Sequence, residues 1–197
     1  MSVVILLTWL NHSGKSTFAK ELDNFSDNIM IIENDLRREF AEEHYSILCE
    51  RSTQKERTFD DPDLRAFHLK TMMKFWLQHD VNICLANCNS NKSYRNDLVN
   101  YIHSLWHKAI IVYFDINYNI LNERALVADN HKNPNLYVWV DRVTSTEDWK
   151  QRILNNLEWM KKNYEKPTDD EWDHFFCIKD NKNSDKILNK IISLIDW

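Results

Sequence analysis

The apolar run Val-Val-Ile-Leu-Leu-Thr-Trp-Leu at residues 3–10 leads almost directly into Ser13-Gly14-Lys15-Ser16-Thr17, and this junction constrains the fold more than any other part of the 197-residue chain. A continuous apolar run reads as a strand buried on both faces, the habit of a parallel sheet. The segment Gly-Lys-Ser-Thr-Phe-Ala-Lys-Glu-Leu then sets Phe18 and Leu22 one turn apart on one side of a helix. A strand, a tight loop and a helix in that order open an α/β unit. They leave unpaired backbone N–H groups at the helix N-terminus.

The alternation continues along the chain. Strands are expected at 28–32, 81–87, 109–115 and 175–178. Helices are expected over 35–44, 61–80, 92–106, 117–128, 136–143, 146–163 and 184–195, and residues 45–61 read as a loop or frayed helix. Asp61 and Pro62 supply a cap and a first helical residue. The expectation is one α/β domain over 1–197, with five parallel strands flanked by helices. Ligands in such sheets bind at the carboxyl ends of the strands, so residues following 10, 32, 87 and 115 are the ones to inspect.

Charge and cysteine usage narrow the function. A net charge of −5 and a pI near 5.9 argue against a broad basic nucleic-acid face, but leave room for a small anionic ligand or one end of a strand. Cys49, Cys84, Cys88 and Cys177 show no CxxC spacing and nothing like a metal cluster, and Cys84 and Cys88, in or beside an apolar run, read as reduced thiols. No leader or membrane-spanning stretch is apparent, and the reading is cytoplasmic with no membrane partner.

Ser13 to Thr17 has the chemistry of a phosphate loop. Backbone N–H groups and the helix dipole would hold phosphates, Lys15 would reach the β- and γ-phosphates, and the Ser16 hydroxyl would hold Mg²⁺. Asn11, His12, Ser13, Gly14, Lys15, Ser16 and Thr17 are therefore the expected ATP-binding residues, with Ser16 as metal ligand.

From Val3 to about Ile178 the sequence resembles P-loop kinases of the polynucleotide 5′-hydroxyl kinase type and related bacterial ATP-binding kinases. The resemblance implies a P-loop NTPase fold with a helical lid, here at about 117–135, and transfer of the ATP γ-phosphate to a hydroxyl. The acceptor it implies is a nucleic-acid 5′ end, with a small metabolite or nucleoside as rival. Ile-Ile-Glu-Asn-Asp-Leu-Arg-Arg matches the family's Asp-x-x-Arg element, giving Asp35 as base and Arg38 on the acceptor side. Ala-Asn-Cys-Asn-Ser-Asn-Lys-Ser-Tyr-Arg matches its third-strand pattern, giving Asn87, Asn89 and Arg95 as acceptor-binding residues. An amide stands at Asn87 where the family has an acid, which weakens the metal site. Arg124 matches the first of two lid arginines, and Ala128 replaces the second; His131 and Lys132 lie just beyond. Plainer roles stand beside these: Asp35 as a helix cap, Asn89 and Asn91 as turn and cap residues, Arg124 as a surface charge.

Glycine usage is abnormal. Average composition would place on the order of 14 glycines in such a chain, yet Gly14 is the only one, and there are 8 tryptophans. By the resemblance, Trp9, Trp106 and Trp172 stand where relatives carry glycine. Three accounts follow. Trp9 turns away from the loop and the site works, or the site binds nucleotide without efficient turnover, or the source decodes UGA as glycine.

Overall fold

The computed structural model describes residues 1–33, 62–127, 146–179 and 182–195. Five strands form one sheet: β1 (Val3–Thr8), β2 (Ile29–Ile32), β3 (Asn82–Leu85), β4 (Lys108–Asp115) and β5 (His174–Lys179). Their order is β2-β3-β1-β4-β5 and every pairing is parallel. The helices are α1 (Lys15–Phe25), α2 (Pro62–Leu77), α3 (Lys92–Ser104), α4 (Tyr118–Val127), α5 (Thr146–Lys162) and α6 (Ser184–Ile195). Asp35, Arg38, the helices expected over 35–44 and 136–143, and Ala128, His131 and Lys132 lie outside the described residues.

Side chains alternate across each strand, and that alternation builds two cores. Val3, Ile5 and Leu7 of β1 pack with Phe18 and Leu22 of α1, Leu121 of α4 and Ile191 of α6. Val4 and Leu6 face the other way, onto Leu69 and Met73 of α2 and Leu98 and Ile102 of α3. Burial on both faces explains why β1 is apolar throughout. The strand also ends earlier than its apolar run. Trp9 and Leu10 have left the ladder, because Trp9 takes a φ of 140° and turns the chain into the loop. β3 likewise stops at Leu85, and residues 86–91 form a polar turn leading to α3. Since β1 has neighbours on both sides, its carboxyl end opens between β3 and β4, where a ligand crevice belongs.

Candidate functional site

Gly14 opens α1 with φ 98° and ψ 9°, a left-handed conformation in which a Cβ would be costly. It has no side chain to cap the helix, and the first turn carries no acidic residue. The N–H groups at this helix end are therefore left for an anion. Ser16 and Thr17 are exposed on the same turn, so the Ser16 hydroxyl is accessible to a cation. These residues fit a nucleotide phosphate with its magnesium.

Lys15 is buried behind the loop. Its Nζ donates to the carbonyl oxygens of Trp9 (3.0 Å) and Leu10 (2.6 Å) and to Ser13 Oγ (3.3 Å). Those contacts match the three donors of an ammonium group. Burial pushes its pKa down, opposed by the Glu33 carboxylate. His12 is also held below the usual histidine range, by burial first and by Lys15 second. The loop is also reached by Arg124 of α4, whose Nη1 donates to the His12 carbonyl at 3.2 Å. Among the described residues, Arg124 thus reaches the phosphate loop.

Trp9 does not fill the loop. Its indole meets Tyr113 edge-on at 5.4 Å and Tyr164 edge-on at 4.5 Å between ring centroids, and Nε1 donates to the Ile116 carbonyl at 3.2 Å. The side chain turns away toward the end of β4.

On the β3 side, Asn89 is buried with φ 44° and donates through Nδ2 to the Leu7 carbonyl at 2.9 Å. Asn91 caps α3, accepting from the Tyr94 N–H at 3.0 Å, the plainer role foreseen for it. Arg95 is fully buried, and its Nη1 donates to the carbonyl oxygens of Asn89 (3.0 Å) and Ser90 (3.0 Å). Asn87 is buried at the strand end beside them. Thus Asn87, Asn89 and Arg95 come together, and at least two of them hold the turn in shape.

Three residues that sequence reasoning assigned no role complete the arrangement. Cys88 Sγ donates to Asn11 Oδ1 at 3.0 Å, and its carbonyl accepts from the Trp9 N–H at 3.3 Å, so this turn touches the phosphate loop directly. Tyr164 shares a 2.8 Å hydrogen bond with the Thr8 hydroxyl, while the Glu165 N–H donates to the Ser90 carbonyl at 3.0 Å. The Glu165 carboxylate accepts from the Lys92 N–H at the start of α3. Residues 164–165 thus strap the β1 end to the β3 turn. Their only signal in sequence was the polar stretch before the fifth strand.

Among the described residues no helix is long and apolar enough to cross a membrane, and no group of three or more His, Cys, Asp or Glu side chains could hold a metal.

Residues 1–196 match the family model described as chromatin associated protein KTI12, and the chain belongs to that family. No curated protein matches it in sequence. Among solved structures it resembles Kti12 of Chaetomium thermophilum in complex with ADP-AlF3, at 17% identity and a TM-score of 0.59, covering 98% of each chain. It also resembles the APS kinase of Mycobacterium tuberculosis in complex with AMPPNP and APS, at 12% identity and TM-score 0.57, covering 100% of this chain and 98% of that one. A fungal RNA kinase aligns at 13% identity and TM-score 0.59, over 98% of this chain and 85% of the other. These likenesses establish the fold, an α/β fold with a five-stranded parallel sheet flanked by helices, shared with P-loop kinases.

Proposed function

We propose that this KTI12-family chain binds ATP with magnesium at residues 11–17 and transfers the γ-phosphate to a hydroxyl group. The observation that carries the reading is the open N-terminus of α1. Left-handed Gly14 starts it, Lys15 is held behind it and Arg124 reaches the loop from the lid side. Phosphoryl transfer asks a protein mostly for positioning and charge stabilisation, and these groups supply both. Lys15 would leave its carbonyl partners for the phosphates, and Ser16 would hold Mg²⁺. Arg124 would offset charge from the lid, within about 117–135. Asp35 would accept the proton of the attacking hydroxyl and Arg38 would position the acceptor, with Asn87, Asn89 and Arg95 shaping the acceptor side. The relatives solved with ADP-AlF3 and with AMPPNP support the nucleotide.

The favoured acceptor is a nucleic-acid 5′-hydroxyl, supported by the resemblance to polynucleotide kinases and by the shared fold of the fungal RNA kinase. A small metabolite or nucleoside is the rival, supported by the acidic charge balance. One observation favours a second reading, a nucleotide-operated binding protein without efficient turnover: the end of β3 carries Ala86 and Asn87 and no acid. A cytoplasmic site of action rests on the thiols, whereas the family's description favours association with chromatin; fractionation of the native source separates these.

The test is transfer of label from γ-phosphate-labelled ATP to 5′-hydroxyl DNA and RNA oligonucleotides. Labelling is expected, and Lys15→Ala and Asp35→Asn should abolish it. Bound ATP without transfer to oligonucleotides or to a metabolite panel would leave the binding-protein reading standing. Absence of ATP binding would overturn both.

A further inference from the structure

The end of β3 lacks an acid on the side that faces the phosphate loop. Alternation places Cys84 and Ala86 with the α1 core and Ile83 and Leu85 with the opposite one. Ala86, rather than Asn87, is therefore the residue whose side chain faces α1 at this strand end. A methyl group there can neither ligate a cation nor orient its water. The neighbouring strand has what β3 lacks. In β2, Ile29 and Ile31 belong to the α1 core, whereas Ile32 belongs to the other. The same alternation carries Glu33 to the α1 side.

The two positions are adjacent. Ile32 pairs with Leu85, and the Ala86 N–H donates to the Ile32 carbonyl at 3.0 Å, which extends the ladder to the Glu33–Ala86 step. Glu33 is half-buried, and its charge acts on both Lys15 and Cys84, which places its field on the loop side of the sheet. Resting on the phosphotransfer reading above, we infer that Glu33 supplies the carboxylate that holds a nucleotide-bound divalent cation, directly or through its water, opposite Ser16. The acid has moved one strand outward, and a glutamate side chain is longer than an aspartate by one methylene.

The inference is tested by titrating ADP and AMPPNP into the full chain with and without Mg²⁺, and by counting bound Mn²⁺ through electron paramagnetic resonance. In the unaltered chain the metal should tighten nucleotide binding. Glu33→Gln should cut that enhancement by roughly 10- to 100-fold, the range seen when groups that orient metal ligands are removed. Metal-free affinity should hold or improve, because a negative charge near the phosphates has gone. Glu33→Asp should retain part of the enhancement, and a thermal melt of each variant confirms folding. An unchanged Mg²⁺ response in Glu33→Gln overturns the inference alone. So does a response lost in Asp35→Asn but kept in Glu33→Gln. No nucleotide binding by the unaltered chain would instead overturn the phosphotransfer reading, and this inference with it.

Discussion

At the end of β1, Trp9 holds a φ of 140°, and at the end of α3, Trp106 holds a φ of 64°. Both values lie where glycine is at ease and a Cβ is penalised. Their side chains have opposite fates. The Trp9 indole packs on Tyr113 and Tyr164 and satisfies its N–H at Ile116. Trp106 is 87% exposed. Its backbone closes α3 in the usual glycine manner: the Trp106 N–H donates to the His103 carbonyl and the His107 N–H to the Ile102 carbonyl. Packing offsets strain at the first position, and nothing in the side chain offsets it at the second. The phosphate loop has absorbed an unfavourable residue into its frame, while the helix end merely tolerates one.

Replacing Trp9 by glycine should have the larger effect. Truncating a packed aromatic costs about 3–5 kcal/mol, and relief of a sparsely populated backbone conformation returns about 1–3 kcal/mol. The nucleotide-free chain should lose about 2 kcal/mol, or roughly 4–8 °C in melting temperature for a chain of this size. A rise in melting temperature would show that the indole is no anchor and that position 9 is simply a glycine position.

The opposite sign is expected at the helix end. Trp106→Gly removes a left-handed penalty of about 1–2 kcal/mol, set against the extra unfolded-state freedom of glycine, up to about 1 kcal/mol. With no packing to lose, melting should rise by about 2–4 °C, the shift for roughly 1 kcal/mol. A fall would mean that the exposed indole makes a contact that matters. The two sites are far apart in the fold, so the double variant should show the sum. Trp172 does not join this pair. It is absent from the residues with positive φ, and its Nε1 donates to the Thr168 carbonyl at 3.0 Å. If the source decodes UGA as glycine, the backbone therefore supports that reading at 9 and 106 only. An intact mass of the natively made chain that matches tryptophan at both positions excludes it.

The sheet was legible because burial leaves a simple mark. The run Ala-Ile-Ile-Val-Tyr-Phe-Asp is expected at 109–115 and observed at 108–115, and the last helix is expected and observed at 184–195. Element ends were less legible where side chains compete for the backbone. The strand expected over 81–87 is Asn82–Leu85, because the Asn89 amide takes the Leu7 carbonyl and turns the chain. The helix expected over 92–106 stops at Ser104, two residues before Trp106. Gly14 and Lys15 could be read locally, from the phosphate-loop motif, whereas Arg124 stood out only through the family resemblance. Tyr164 and Glu33 could not. Strand order sets Glu33 beside β3, and the segment that follows α5 brings the Tyr164 hydroxyl to Thr8. A local pattern does not record such pairings.

His12 offers the smallest and sharpest test of the loop, because it shares the positive φ of the two tryptophans, at 63°, in a milder residue type. Burial lowers its pKa, and the Lys15 charge lowers it further. A base with a lowered folded pKa binds fewer protons when folded than when unfolded. Its contribution to stability is therefore complete above the ordinary histidine value of about 6.5 and is lost as pH falls below it. His107 is lowered as well, by burial first, and contributes with the same sign. The slope assigned to His12 is thus the difference between two proteins. Melting curves between about pH 5 and pH 7.5 should show the unaltered chain losing more stability toward acid than His12→Asn, which tolerates the same backbone and does not titrate. Equal slopes would mean that the loop admits water at His12. The frame that Trp9 packs into place would then be open at its middle.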